Sequence, residues 1–202
     1  MSDYPTLAAH RVRQTAQRAH YDQATVHAIL DAGLVAHVAF MGEAGPVSLP
    51  MFYVRDGERV LVHASRKSRF MRTLAEGASL CLTVTLVDGL VMARSAFHHS
   101  MNYRSVMVHG QGRVLPLEQK PAALDLFVER VAKGRSAHVR APNIQEMKAT
   151  DVLAIPLEQV VAKIRTGGPN DDPEDMDLPV WAGVVPLIQH EGEPIPYPVS
   201  VR

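Results

Sequence analysis

The sequence predicts a mostly β, α+β fold: a six-stranded antiparallel barrel with flanking helices. Three observations carry this. Six short β-rich runs follow one another between residues 34 and 116, "LVAHVAF", "PVSLPMFYVR", "ERVLVHAS", "ASLCLTVTLV", "LVMARSAF" and "YRSVMVHGQGRVLP". Between them stand "GEAG" and the turn pairs Asp56-Gly57 and Asp88-Gly89, both hairpin signals. A single internal helix, "SRFMRTLAEG", interrupts the series, so the chain lacks the regular strand-helix alternation of a parallel sheet. No GxGxxG fingerprint is present, which disfavours a dinucleotide-binding Rossmann domain.

Taken in order, residues 1–20 are polar without helical or strand periodicity and read as an arm that is ordered only if it docks, its Arg and His residues forming a solvated face. Residues 21–202 are then one barrel domain with a C-terminal extension. "YDQATVHAILDAG" supplies Asp22 as N-cap, Val26, Ile29 and Leu30 at helical spacing and Gly33 as terminator, which predicts a helix. After the six strands, "LEQKPAALDLFVERVAKG" predicts a second helix burying Leu124, Phe127, Val128 and Val131. "VLAIPL" reads as a further strand followed by an extended or short helical piece, "PNDDPEDMDLP" as an acidic loop, and "VWAGVVPL" as a return to apolar sequence before a Pro-rich tail.

Composition bounds the function. The 202 residues are 47% hydrophobic, enough for a sizeable core, and carry 21 Lys plus Arg against 21 Asp plus Glu, so no overall basic field would hold the chain on nucleic acid. No run is long enough to span a bilayer, and the first twenty residues lack the apolar centre of a signal peptide. With one cysteine, Cys81, no internal disulfide can form. A soluble cytoplasmic protein is the expectation, with Cys81 as a buried strand residue.

The chemistry concentrates in "VHASRKSRFMRTL", where a strand passes into a helix through Arg66, Lys67, Arg69 and Arg72. Cations in a first helical turn oppose the helix dipole by about 0.3–1 kcal/mol each when exposed. An anion placed there, taking hydrogen bonds from the helix start and from Ser65 and Ser68, reverses that penalty. Arg69 with Ser68 is the leading phosphate pair; Arg66 and Lys67 either join it or point into water. His98 and His99 are adjacent, so on a strand they face opposite sides, and with no Cys or carboxylate at ligand spacing a zinc site is rejected.

The motifs "HAS..SR.MR.L" and "RSAFHHSMNYRSV.V.G" resemble those of the pyridoxamine 5'-phosphate oxidase-like, FMN-binding split-barrel flavoproteins, in particular the nitroimidazole-resistance-protein-like group, over about residues 20–135, with "VWAGVVPL" as a further similar piece. The resemblance implies a split barrel, non-covalently bound FMN and a homodimer with the cofactor at the subunit interface. It places the phosphate at Ser65, Ser68 and Arg69, with His63 and Ala64 alongside and Arg72 as a second partner. It puts Pro50 and Met51 along the flavin ring, Thr83, Val84 and Thr85 beneath its edge, and Asn102, Tyr103, Arg104 and Ser105 on a segment approaching from the partner. Residue by residue, each also has an ordinary strand or core reading, and Trp181 is either an aromatic wall or an interface anchor. True oxidases of this group carry a basic substrate-phosphate site near the C-terminus, whereas this chain ends "GEPIPYPVSVR" after an acidic loop, which argues against pyridoxamine 5'-phosphate as substrate.

With no acid/base dyad in view, the expected activity is cofactor-driven oxidoreduction of a small aromatic or heterocyclic molecule. The competing expectations are a non-catalytic flavin- or haem-binding protein, with His63, His98, His99 or His109 as axial ligand, and an empty barrel serving dimer contacts alone.

Overall fold

The computed structural model describes residues 3–8 and 10–197; residues 1, 2 and 9 of the arm and 198–202 of the tail lie outside the described residues. The chain divides into two compact units. The first takes the described residues of Met1–Leu86 with Tyr103–Arg165, the second those of Val87–Asn102 with Thr166–Arg202.

The first unit is antiparallel sheet with helices. Strand β1 is Ala19–His20, β2 Val35–Gly42, β3 Gly45–Asp56, β4 Arg59–Ser65, β5 Ser79–Met92, β6 Ser100–Gln111, β7 Arg113–Val114, β8 Thr150–Pro156 and β9 Gln159–Arg165. Their order across the sheet is β1-β9-β6-β5-β2-β3-β4-β8-β7. Alternation along β2 sends Ala36, Val38 and Phe40 inward, where they meet Leu80 and Leu82 of β5 and Val60 and Val62 of β4 in the main core. The hairpin at Asp56-Gly57 forms as expected, with Gly57 at φ 57 supplying the left-handed residue.

Helix α1, Gln23–Ala32, begins at Asp22, whose carboxylate accepts from the Thr25 N–H at 2.8 Å, and buries Val26, Ile29 and Leu30. Its terminating Gly33 has φ −84, an ordinary value; the residue is glycine because a Cβ there would stand 2.6 Å from the Tyr53 hydroxyl and 2.7 Å from Val84. Helix α3, Lys120–Val131, packs on a second, smaller cluster through Ala123 and Phe127. Its buried face runs Lys120, Ala123, Phe127, one step round from the face expected, so Val131 is 73% exposed. Helix α2 is Arg69–Ala75 and α4 is Ile144–Ala149, the latter closed by an Asn143–Glu146 capping box and not among the elements expected from the sequence.

Part of the arm docks. Tyr4 is buried in the main core with its hydroxyl donating to Glu58 at 2.7 Å, and His10, expected in solvent, is buried with Nε2 2.8 Å from the Pro5 carbonyl.

In the second unit, β10, Gly183–Pro186, pairs antiparallel with the Gly89–Met92 part of β5. Asp88-Gly89 was expected to turn; instead two of the expected strands run through it as one. Gly89 serves close approach, since a Cβ there would lie 3.0 Å from both Val184 and the Val185 carbonyl. Arg94 and Asp171 pair at 2.8 Å and His98 meets Asp172 at 3.0 Å. Trp181 is 65% exposed and lies over Gly183. Among the described residues no helix is long and apolar enough to cross a membrane.

Candidate functional site

Strand β4 is held on one side along its whole length by β8, from Arg59↔Pro156 to Ser65↔Thr150. On its other side the ladder to β3 stops at Tyr53↔Val62. Beyond that pair, Pro50–Phe52 and His63–Ser65 border a break in the ladder, so both segments present strand edges with no ladder partner there. Pro50 and Met51 lie on one border, His63, Ala64 and Ser65 on the other.

The turn leaving β4 is fixed by its own serines. The Ser65 carbonyl accepts from Ser68 N–H at 2.9 Å, Ser65 Oγ accepts from Lys67 N–H at 3.3 Å, and Ser68 Oγ caps α2 by accepting from Met71 N–H at 3.1 Å. Both hydroxyls keep their own protons available to an acceptor. Helix α2 buries Phe70, Met71 and Leu74, which forces Arg69 and Arg72 outward. Both are exposed, and neither has a hydrogen bond or ion pair from its side chain among the described residues. Arg66 differs: its N–H donates to the Ala149 carbonyl at 2.9 Å and its side chain is 3.9 Å from Asp151.

The face of β2, β3 and β5 turned away from the core carries the remaining polar candidates. Register sets exposed His37 directly between Pro50 of β3 and Thr83 of β5. Cys81, expected to be buried, is half-buried on this face, its Sγ 3.7 Å from Thr83 Oγ1. Thr85 is exposed on the same side. Met51, Ala64 and Val84 fall on the core side, so the main chain is what they can offer a ligand. His37 was not among the residues expected from the sequence; strand alternation plus the Pro50 pairing is the signal that finds it.

His63 is half-buried, its ring edge-on to Phe127 at 4.6 Å, and Phe127 also meets Phe52 at 5.8 Å. Burial pulls its pKa down, so the imidazole is neutral at pH 7. Its nitrogens make no hydrogen bond among the described residues. His98 and His99 are engaged, by Asp172 and by the Ser95 carbonyl.

Tyr103, Arg104 and Ser105 lie on β6 opposite Arg165, Ile164 and Lys163 of β9, and Ser105 Oγ donates to the Lys163 carbonyl at 3.2 Å. Asn102 belongs to the second unit, where its Nδ2 donates to the Gly167 carbonyl at 3.1 Å.

Residues 22–164 match the family model described as pyridoxamine 5'-phosphate oxidase. The chain belongs to that family. Among solved structures it is similar to the flavocytochrome Anf3 from Azotobacter vinelandii, at 38% identity over 96% of this chain and 91% of that one, with a TM-score of 0.92. A FAD and haem binding protein from Mycobacterium smegmatis follows, with 35% identity, 91% of each chain covered and a TM-score of 0.87. A candidate 5-nitroimidazole antibiotic resistance protein from Bacteroides thetaiotaomicron, 19% identical over 72% of this chain and 86% of its own, has a TM-score of 0.61 and shares the fold. A search of curated protein sequences finds no match. The expected family and fold class, a mostly antiparallel split barrel with few helices, therefore hold, with ten strands among the described residues where six barrel strands and one further strand were expected.

Proposed function

We propose that this chain is a flavin-binding redox protein that also holds a haem, and that it exchanges electrons with a small planar aromatic or heterocyclic molecule. The observation that carries the reading is the junction after β4: two exposed guanidinium groups without counter-ions among the described residues, Arg69 and Arg72, beside two serine hydroxyls, at the end of a strand whose β3-side ladder has stopped. That donor set fits a phosphate monoester or pyrophosphate, because it supplies charge and hydrogen bonds together. It holds the phosphate of a riboflavin-phosphate moiety, which is all of FMN and half of FAD; likeness to the FAD and haem binding protein at 35% identity favours FAD over the FMN expected from the sequence.

In this reading the flavin ring would lie against the open edges of His63–Ser65 and Pro50–Phe52, where main-chain groups other than the missing Pro50 N–H could hydrogen-bond it. Pro50, His37 and Thr83 then form one wall. His63 fits a haem iron: it is neutral, its ring is oriented by Phe127, and its nitrogens are uncommitted. It stands beside the junction, where a metal centre and a flavin would be neighbours. When bound, flavin exchanges hydride or electrons and haem exchanges single electrons, while the protein supplies position and a dry wall. The family's homodimer supplies Asn102–Ser105 from a second copy in this reading.

The test is the purified protein. Its spectrum should show flavin bands and a Soret band, and heat release followed by mass measurement separates FAD from FMN. His63→Ala should lose the Soret band and keep the flavin. A colourless protein, or a Soret band retained in His63→Ala, overturns the assignment concerned. Mixing Arg69→Ala and Arg104→Ala chains should restore one flavin site per heterodimer; confirmed heterodimers without recovery would remove the shared-site arrangement.

A further inference from the structure

A second concavity lies elsewhere in the first unit, at the end of β6 away from Tyr103–Ser105. It has a volume of about 820 Å³, within the range of small-molecule sites, roughly 300–1,000 Å³. Its wall depends on two glycines. Gly110 has φ 152, a backbone that side-chain-bearing residues avoid, and a Cβ on Gly112 would stand 2.5 Å from Leu153. The pair lets β6 turn into β7 while pressing on β8, and the hollow opens beside that corner.

The lining divides by chemistry. Leu80, Leu115 and Ala154 give an apolar floor and are each more than nine-tenths buried. Arg113, on β7 opposite Ala154, is exposed and has no carboxylate partner among the described residues. Arg59 also lines the hollow; Nε and Nη2 of its guanidinium are bound to Asp56, at 2.9 and 2.6 Å. Glu158 also lines the hollow without an ion pair to Arg113 among the described residues, and since Arg59 is taken up by Asp56, Arg113 is the lining guanidinium left unpaired. His109 completes the wall; it stacks on buried His10 at 6.5 Å, and burial with that neighbour keeps it neutral and available for hydrogen bonding.

From this arrangement we propose that the cavity at the β6–β7 corner is a binding site for a small amphipathic organic anion, its carboxylate or equivalent on Arg113 and its apolar body on Leu80, Leu115 and Ala154. An apolar floor beside an unpaired guanidinium suits a molecule with one charged end. Neither a bare phosphate nor a hydrocarbon uses both parts.

Titration calorimetry of octanoate into the full protein with its native cofactors tests this, with octylamine as the opposite-charge control. Octanoate should bind with measurable heat and octylamine should not. Arg113→Glu should weaken octanoate by tenfold or more. Gln111→Trp, an exposed wall position that fills the hollow without touching the charge, should do the same. Arg135→Ala, an exposed cation outside the lining of the hollow, should leave octanoate binding unchanged. Absence of octanoate binding, equal binding of octylamine, or a Kd indifferent to both cavity variants overturns the proposal. Thermal melts of the variants confirm folding, and Gln111→Trp alone decides the matter should Arg113→Glu fail to fold.

Discussion

Two cationic groups on neighbouring parts of the first unit are built in opposite ways. Lys120 is 5% exposed, and its ammonium donates to Asp151 at 2.6 Å, to the Thr150 carbonyl at 2.8 Å and to the Met147 carbonyl at 3.4 Å. Every proton it carries has an acceptor within the chain. Arg69 and Arg72 are exposed and have none among the described residues. The first arrangement is complete without a ligand and serves the fold; the second, in the function proposed above, would be completed by an anion from outside. On that reading, what distinguishes a binding site from structural charge is charge left without a partner beside uncommitted hydroxyls.

The largest effect expected from breaking this contrast is on the structural side. Lys120→Ala leaves the buried Asp151 carboxylate facing apolar surroundings and two carbonyls, with exposed Arg66 3.9 Å away as its remaining partner. Removing one partner of a buried pair costs about 3–5 kcal/mol, and chemical denaturation should show a loss of that order. On the ligand side, Arg69→Ala should leave the unfolding free energy within about 0.5 kcal/mol of the parent when no flavin is bound. Its effect should be on flavin phosphate binding, a loss of about 1.5–3 kcal/mol, which is roughly ten- to a hundredfold in Kd. Riboflavin, lacking the phosphate, should be little affected. Equal losses for phosphorylated and unphosphorylated flavin would place Arg69 elsewhere.

The exposed side of this contrast was the more legible in sequence. "HASRKSRFMRTL" announces itself because cations at a helix start have no local reason to be there. The helix at Asp22, the Asp56-Gly57 hairpin and the sheet class followed from caps, turns and alternation, which are local rules. What the sequence hid were the partners. Lys120 looks like any surface lysine of an amphipathic helix until β8 brings Asp151 to it, thirty-one residues away. Asp88-Gly89 has turn chemistry, but β10 arrives from nearly a hundred residues downstream and holds it straight. His37 gains meaning only when register sets it between Pro50 and Thr83. Non-local pairing decided each of these cases, and periodicity does not encode it.

An intermediate case lies at α1, where a charge is satisfied by neighbouring hydrogen-bond donors and not by an ion pair. Hydrogen bonds from Thr25 hold the Asp22 carboxyl below the usual carboxylate range. Because the folded pKa is the lower one, this contribution is fully present above the unfolded pKa and disappears as pH falls through the folded value. Asp22→Ala should therefore cost about 1 kcal/mol at neutral pH, and the difference between variant and parent should shrink as pH is lowered below about 4. A difference that stays constant down to strongly acidic pH would mean that the carbonyl oxygen of the protonated acid, accepting from the Thr25 N–H, caps the helix as well as the charged carboxylate does.

The smallest effect concerns the two cations that fall between the extremes. Arg66 has a side chain 70% exposed and a long 3.9 Å contact with Asp151, and Lys67 is exposed with no ion pair among the described residues. Neither is buried, so neither should matter to stability beyond about 0.5 kcal/mol. Both stand beside the phosphate position, so their field should draw an anion toward it. Long-range attraction of this kind is screened over roughly 8–10 Å at ordinary ionic strength. The double variant Arg66→Ala, Lys67→Ala should therefore slow flavin association several-fold in dilute buffer, leave dissociation nearly unchanged, and match the parent at high salt. Stopped-flow measurement of apoprotein recombining with FAD at two salt concentrations gives the answer. A deficit that survives high salt and appears in the dissociation rate would move these residues from steering into direct contact, and the dividing line between partnered and unpartnered charge would then have to be drawn to include them among the ligand's own.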